Sequence, residues 1–185
     1  MPCLKAAGFD SSGNLKYIGI VIGEKYKLWK LLNVLERSYS FTGSVHLREL
    51  WSSTLRVRVA NKILESKHEF ICLYIDFEWI LGEIWREFPR YPKKGIRKHL
   101  GEAIWPYIRG VLYRHDVSRV YICRDVEWIF KNRIDYRIGG LSCLADTVAW
   151  VNLRKPEDVN ISRVRELRLR EKLKKTVISR LRERA

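Results

Sequence analysis

The strongest constraint on the fold is a run of six apolar residues from Phe70 to Ile75, which stops at Asp76. An unbroken apolar run of this length is typical of a strand buried in the centre of a sheet whose two faces are both covered. The segment from Val117 to Cys123 predicts the next buried strand. Helical patterns accompany these strands, over about 79–87, 95–113, 126–130 and 142–151. The sequence therefore predicts an α/β fold.

The segment before this central strand predicts a hairpin and further elements. Lys5 to Phe9 and Leu15 to Gly23 are apolar, and the residues between them favour a turn, so we expect a β-hairpin. Lys27 to Val34 is rich in aliphatic residues and predicts a third strand, although Leu31-Leu32 would also suit a helix. Leucines and other aliphatic residues at helical spacing predict a long amphipathic helix from about Val45 to Ser66.

The length of 185 residues allows one packed core with an extension. We expect residues 1–155 to form one domain around a mixed five-stranded sheet flanked by helices. Residues 161–185 contain ten Lys or Arg and three Glu, with apolar residues at helical spacing, so we expect 156–185 to form a basic helical extension. Such a helix would bind phosphates, or would dock on the body, another subunit or a partner protein.

The four cysteines are scattered, with no CxxC pair and no His spaced to complete a zinc site, so we expect buried, reduced thiols. The longest apolar runs fall far short of the roughly 20 residues that cross a bilayer. The first residues lack the pattern of a signal peptide, and we therefore expect a cytoplasmic protein without membrane contact. The absence of Gln and the single Met are compatible with a thermophilic source.

The chain is strongly basic, with 36 Lys+Arg against 21 Asp+Glu and a net charge of +15. This excess favours a polyanionic partner such as nucleic acid. A basic and aromatic stretch from Arg86 to Lys98, interrupted by two prolines, has Glu87 as its one acid. It would bind the nucleic-acid backbone or form a solvated loop. The expected nucleic-acid contacts are Arg86, Arg90, Tyr91, Lys93, Lys94, Arg97, Lys98, Lys131, Arg133 and Arg137.

Four acids stand out because they lie where the chain leaves a strand or begins a helix, namely Asp10, Glu49, Asp76 and Asp146. Neighbouring strands lie about 4.8 Å apart, so carboxylates at the ends of adjacent strands could reach one cation. Divalent cations are the usual way to neutralise such a cluster. Taken singly, each acid is more typical of a turn or a helix start. Glu36 is the alternative to Glu49 as the acid supplied by a helix.

Four short segments carry a resemblance to a known family: Gly8-Phe9-Asp10-Ser11-Ser12-Gly13, Arg48-Glu49-Leu50, Asp76-Phe77-Glu78-Trp79-Ile80 and Ala145-Asp146-Thr147-Val148-Ala149. They resemble motifs of the ribonuclease H-like nucleases, in the same order and over about residues 4–152. That family has Asp in the first strand, Glu in the first helix, Asp at the end of the fourth strand and Asp in the last helix.

The resemblance implies a ribonuclease H-like fold and a divalent-metal-dependent nuclease. Asp10, Glu49, Asp76 and Asp146 would then be catalytic and would bind two Mg²⁺ or Mn²⁺ ions. One ion would activate the attacking water and the other would stabilise the leaving 3′-oxygen.

The substrate implied is nucleic acid, and we expect single-stranded DNA cleaved from its 3′ end. Ribonucleases H that cleave RNA·DNA hybrids usually carry a His before the last helix, and no His occurs between Asp125 and Asp146. The alternatives are a ribonuclease H or junction endonuclease on the same fold, or a binding module without catalysis. The sequence leaves the oligomeric state open, a homo-oligomer included. Another exonuclease group opens its site with a DxE sequence like Asp76-Phe77-Glu78, but there a hairpin follows.

Overall fold

The computed structural model describes residues 3–39, 47, 50 and 52–183. The elements in chain order are β1 (Lys5–Ser12), β2 (Tyr17–Glu24), α1 (Lys25–Tyr39), α2 (Ser53–Leu64), β3 (Glu69–Tyr74), α3 (Phe77–Glu87), α4 (Lys93–Arg114), β4 (Val117–Ile122), α5 (Glu127–Phe130), β5 (Arg137–Ile138), α6 (Ser142–Arg154), β6 (Val164–Arg168) and α7 (Arg170–Arg182).

The strands form one mixed sheet in the order β5-β4-β1-β2-β3-β6. The hairpin β1–β2 is antiparallel, and β3 pairs antiparallel with β2. The other pairs, β1–β4, β4–β5 and β3–β6, are parallel. The expected α/β class with a helix-flanked mixed sheet is confirmed, but the sheet has six strands instead of five.

The predicted third strand over Lys27 to Val34 is wrong, because this segment lies inside α1. Leu28, Leu32 and Leu35 recur at the spacing of one helical face, and all three are buried against the sheet. The central apolar run is consequently the third strand of the fold and not the fourth.

The predicted helix over 45–66 corresponds in part to α2. This helix begins at Ser53, where the hydroxyl of Ser52 accepts a hydrogen bond from the Leu55 amide at 3.4 Å, as an N-cap does. Residues 45, 46, 48, 49 and 51 lie outside the described residues, and the prediction for them is not tested.

Two short strands were not expected from the sequence. β5 lies where a loop was predicted, and β6 lies where the predicted terminal helix was to begin. Arg165 and Arg168 are exposed on β6, and such charges are common on edge strands because they discourage pairing with other chains. Residues 156–185 therefore contribute a strand to the sheet as well as the expected helix.

Each face of the sheet carries its own apolar core. Helices α3, α4, α5 and α7 cover the face of Phe9, Ile20 and Leu73, and α1, α2 and α6 cover the face of Ala6 and Val21. The three buried cysteines, Cys72, Cys123 and Cys143, are free thiols, as expected, whereas Cys3 is free but exposed. No helix in the described ranges has the length and apolar character needed to cross a membrane.

Candidate active site

Two glycines allow α6 to lie directly on the hairpin. A Cβ on Gly8 would lie 2.3 Å from the carbonyl oxygen of Leu141. A Cβ on Gly19 would lie 2.1 Å from the carbonyl oxygen of Ala145 and 2.6 Å from the amide nitrogen of Ala149. Any larger residue would collide with backbone atoms, so both positions require glycine for this packing.

The same packing brings Asp10 and Asp146 together. Asp10 lies opposite Gly19 in the register of β1 and β2, and Gly19 touches Ala145, which directly precedes Asp146 on α6. Both carboxylates are buried, with relative exposures of 1% and 4%. Two predicted site residues, far apart in the sequence, therefore lie at one interface between strand and helix.

Each of these carboxylates accepts a backbone hydrogen bond. The Ser11 amide donates to Asp10 Oδ1 at 2.7 Å, and the Leu47 amide donates to Asp146 Oδ2 at 2.7 Å. Burying a carboxylate costs several kcal/mol unless such partners compensate for the lost water. The second bond also fixes the buried Leu47 against α6.

The negative charge of these carboxylates affects the pKa of two buried thiols. Burial raises the pKa of the Cys143 thiol, and the charges of Asp10, Asp146 and Glu36 raise it further. Burial also raises the pKa of the Cys123 thiol, and Asp10 adds to this shift by its charge and by a hydrogen bond. Both thiols are therefore protonated at neutral pH, which makes them poor nucleophiles and poor metal ligands.

Glu36 on α1 is half-buried and close enough to Cys143 to act on the pKa of its thiol, together with Asp10 and Asp146. It is thus the acid on the first helix of the fold, and the structure places it on the same side of the sheet as the carboxylate pair. Glu49 lies outside the described residues, so its expected role stays a prediction.

Asp76 belongs to a different cluster. It precedes α3 in a left-handed conformation with φ of 52°, and the Tyr74 hydroxyl donates to its Oδ2 at 3.0 Å. Arg170, the first residue of α7, lies 3.8 Å from the same oxygen. Because β2 lies between β3 and β1, the spacing of the strands alone separates Asp76 from Asp10 by about 10 Å. The structure therefore brings Asp76 to the C-terminal helix and not to the Asp10–Asp146 pair.

Asp125 was not among the predicted site residues, although it follows an apolar strand just as Asp76 does. It comes shortly after β4, the parallel neighbour of β1, and the Cys123 amide extends that pairing with a 3.0 Å bond to the Phe9 carbonyl. Asp125 is exposed, and both it and Asp10 act on the pKa of Cys123. The useful signal was an acid at the end of the strand that adjoins β1.

Asp125 lines a polar cleft of about 270 Å³ at the end of the hairpin. The other walls are the hairpin turn from Ser11 to Leu15, the start of α3 and Arg97 on α4. The cleft thus has two carboxylates, Asp125 and Glu78, and one guanidinium among its walls, next to the strand that carries Asp10.

Some of the predicted nucleic-acid contacts already form ion pairs or hydrogen bonds within the protein, and others are exposed to solvent. Arg86 pairs with Glu83, Lys93 lies 3.4 Å from Glu78, and Arg133 donates to the carbonyl of Ile129 at 2.6 Å. Tyr91 is hydrogen-bonded through its hydroxyl to the buried His99 at 3.1 Å. The remaining charged side chains are exposed: Arg90, Lys94, Arg97, Lys98, Lys131 and Arg137.

Within the described residues, no group of three or more His, Cys, Asp or Glu side chains is arranged to hold a metal ion. The described part of the site is therefore a buried pair of carboxylates with Glu36 and Asp125 nearby. The chain matches no protein-family model, no curated protein and no solved structure.

Proposed function

We propose that this protein is a divalent-metal-dependent nuclease with a ribonuclease H-like arrangement of its first five strands. The observation that carries the proposal is the burial of both Asp10 and Asp146 where the central hairpin packs on α6, close enough together that both act on the pKa of Cys143. Carboxylates that lie close together repel each other, and a bound divalent cation is one way to relieve that repulsion. A net charge of +15 around such a pair suits a polyanionic substrate.

The order of elements supports the same proposal once the strands are counted as the structure has them. The first strand carries Asp10, the first helix carries Glu36, the fourth strand is followed by Asp125, and the helix after the fifth strand carries Asp146. This is the order in which the resembled family places its acids. The two assignments that change, from Glu49 to Glu36 and from Asp76 to Asp125, both follow from replacing the predicted third strand with a helix.

Asp10 and Asp146 would hold Mg²⁺ or Mn²⁺, with Glu36 and Asp125 as further ligands. The carboxylates of Asp10 on β1 and Asp146 on α6 suit hard divalent cations, which prefer oxygen ligands. When bound, such ions supply a water of lowered pKa and stabilise charge on the departing oxygen. The contribution of the chain is to fix the carboxylates, which the packing of α6 on Gly8 and Gly19 does.

The substrate proposed first is single-stranded DNA, cleaved from its 3′ end in the cytoplasm. The exposed cations at the start of α4 support a backbone-binding role, and the partly exposed Trp85 and Tyr91 supply rings on which unpaired bases could stack. RNA·DNA hybrids and junctions remain the competing substrates.

The test is a panel of end-labelled single strands, duplexes, hybrids and junctions, incubated with Mn²⁺, with Mg²⁺ or with EDTA. We expect metal-dependent cleavage by the wild type and at least a hundredfold loss in Asp10→Asn and Asp146→Asn. Asp158→Asn is the matched control, because Asp158 is exposed and lies in the loop after α6. Equal cleavage by all three variants would refute the site, and salt-sensitive binding without cleavage would indicate a binding module.

A further inference from the structure

We propose that Arg97 binds a backbone phosphate of single-stranded DNA in the cleft beside Asp125, an inference that rests on the proposed function. Among the ten predicted nucleic-acid contacts, Arg97 is the one that lines this cleft. Lys93 also lies near the Phe77 ring, at 5.4 Å, but it pairs with Glu78 and is not among the residues that line the cleft.

Two aromatic rings hold the Arg97 side chain in place. Its guanidinium carbon lies 5.5 Å from the ring centre of Phe77 and 5.7 Å from that of Trp128. Phe77 is buried, and the Trp128 indole donates to the carbonyl of Asp125 at 2.8 Å. The rings are thus themselves fixed, and a guanidinium held near them by cation–π contacts loses less conformational entropy when it binds a phosphate.

The charge of Arg97 is also available. In the described ranges no carboxylate lies within ion-pair distance of it, whereas the nearby acid Glu78 is engaged by Lys93 at 3.4 Å. The residue is exposed to solvent while its guanidinium lies within cation–π distance of the two rings. Its donors are therefore free for a bidentate contact, which is the geometry in which Arg binds phosphate most strongly.

The rest of the cleft fits a phosphodiester with its sugar. The hairpin turn contributes Ser11, Ser12 and Asn14, whose side chains are neutral hydrogen-bonding groups. Glu78, the second carboxylate in the wall, is paired with Lys93. A volume of about 270 Å³ is enough for one sugar–phosphate unit and too small for a duplex. Asp125, near Asp10, would lie close to the phosphate held by Arg97, so the contact would place the strand next to the proposed catalytic acids.

The experiment measures binding of a fluorescein-labelled single-stranded 20-mer by anisotropy in EDTA, over a series of salt concentrations. We expect Arg97→Gln to weaken binding about tenfold and to lower the slope of log K against log salt by about 1. Arg97→Lys, which keeps the charge but loses the planar fork, should weaken it by about threefold. The control is Arg114→Gln, which removes the same charge from the exposed far end of α4. Circular dichroism of each variant confirms the fold.

A loss in Arg97→Gln that Arg114→Gln does not show supports the inference. Equal affinities in the two variants, or an affinity of Arg97→Gln equal to the wild type, would overturn it. The proposed nuclease function is tested separately, by the assay of metal-dependent cleavage. Cleavage that needs Asp10 but is indifferent to Arg97 overturns the phosphate contact alone, and an Arg97-dependent affinity without cleavage overturns the nuclease proposal alone.

Discussion

Replacing Gly19 with alanine should displace α6 and destabilise the protein. The added Cβ would lie 2.1 Å from the Ala145 carbonyl oxygen and 2.6 Å from the Ala149 nitrogen, and both are backbone atoms of α6 that cannot rotate away. The helix must move by about 1 Å to restore an ordinary contact, in a core packed as densely as an organic crystal. Overpacking of this kind costs about 3 kcal/mol, at the upper end of the usual range, because no flexible side chain can yield.

The matched control is Gly82→Ala, because nothing lies within 4 Å of a Cβ built on Gly82 in α3. This change should stabilise the protein by about 0.5–1 kcal/mol, since alanine favours a helix over glycine. Urea unfolding measures the free energy of unfolding of both variants. In thermal unfolding, the melting temperature of Gly19→Ala should be roughly 6–12 °C below that of the wild type. A Gly19→Ala protein as stable as the wild type would refute the close packing of α6 on the hairpin, and with it the position of Asp146.

The remaining predictions concern thiols, pH and the C-terminal helix. Ellman's reagent should titrate Cys3 alone in the native protein and all four cysteines in urea; rapid reaction of a second thiol would contradict their burial. Burial raises the pKa of the three buried cysteines, so above about pH 9 their thiols lose protons in the unfolded chain but not in the folded protein. The free energy of unfolding should therefore fall as the pH rises, by up to about 4 kcal/mol per pH unit. Urea titrations at pH 7 and 10 measure this fall. Arg170→Ala should lower the free energy of unfolding by about 1–3 kcal/mol, because the Arg170 guanidinium lies 4.1 Å from the Trp79 ring centre. Replacing the exposed Lys172 with alanine should lower it by less than about 0.5 kcal/mol. Equal losses in the two variants would contradict the anchoring of α7 by Arg170.

Much of the fold could be predicted from local patterns. The hairpin, the central apolar strand and the helices that follow it come from apolar runs and helical spacing that need no tertiary information. The error at Lys27 to Val34 arose because that window includes Leu28 and Leu32 but ends before Leu35, the third residue of the buried helical face. β5 has two residues and β6 is held by its pairing with β3, so neither carries a strand pattern of its own.

The candidate site could be predicted in part for the same reason. Asp10 and Asp146 were proposed because each lies in a short motif on an element that the sequence defines well, and the structure buries both where α6 packs on the hairpin. Asp76 was proposed because the central strand was counted as the fourth, and the strand wrongly predicted over Lys27 to Val34 had raised that count by one. Asp125 becomes a candidate only once it is known that β4, and not β3, lies beside β1.

The most direct test of the nuclease proposal is a Mn²⁺ titration of the wild type and of Asp146→Asn by isothermal calorimetry, without any nucleic acid. The proposal predicts saturable binding to the wild type and an affinity at least tenfold weaker in Asp146→Asn, with Asp158→Asn unchanged. Thermal unfolding should follow, since a ligand that binds the folded state raises the melting temperature. Equal Mn²⁺ affinity in all three proteins would contradict the claim that the buried Asp10–Asp146 pair is a metal-dependent catalytic site.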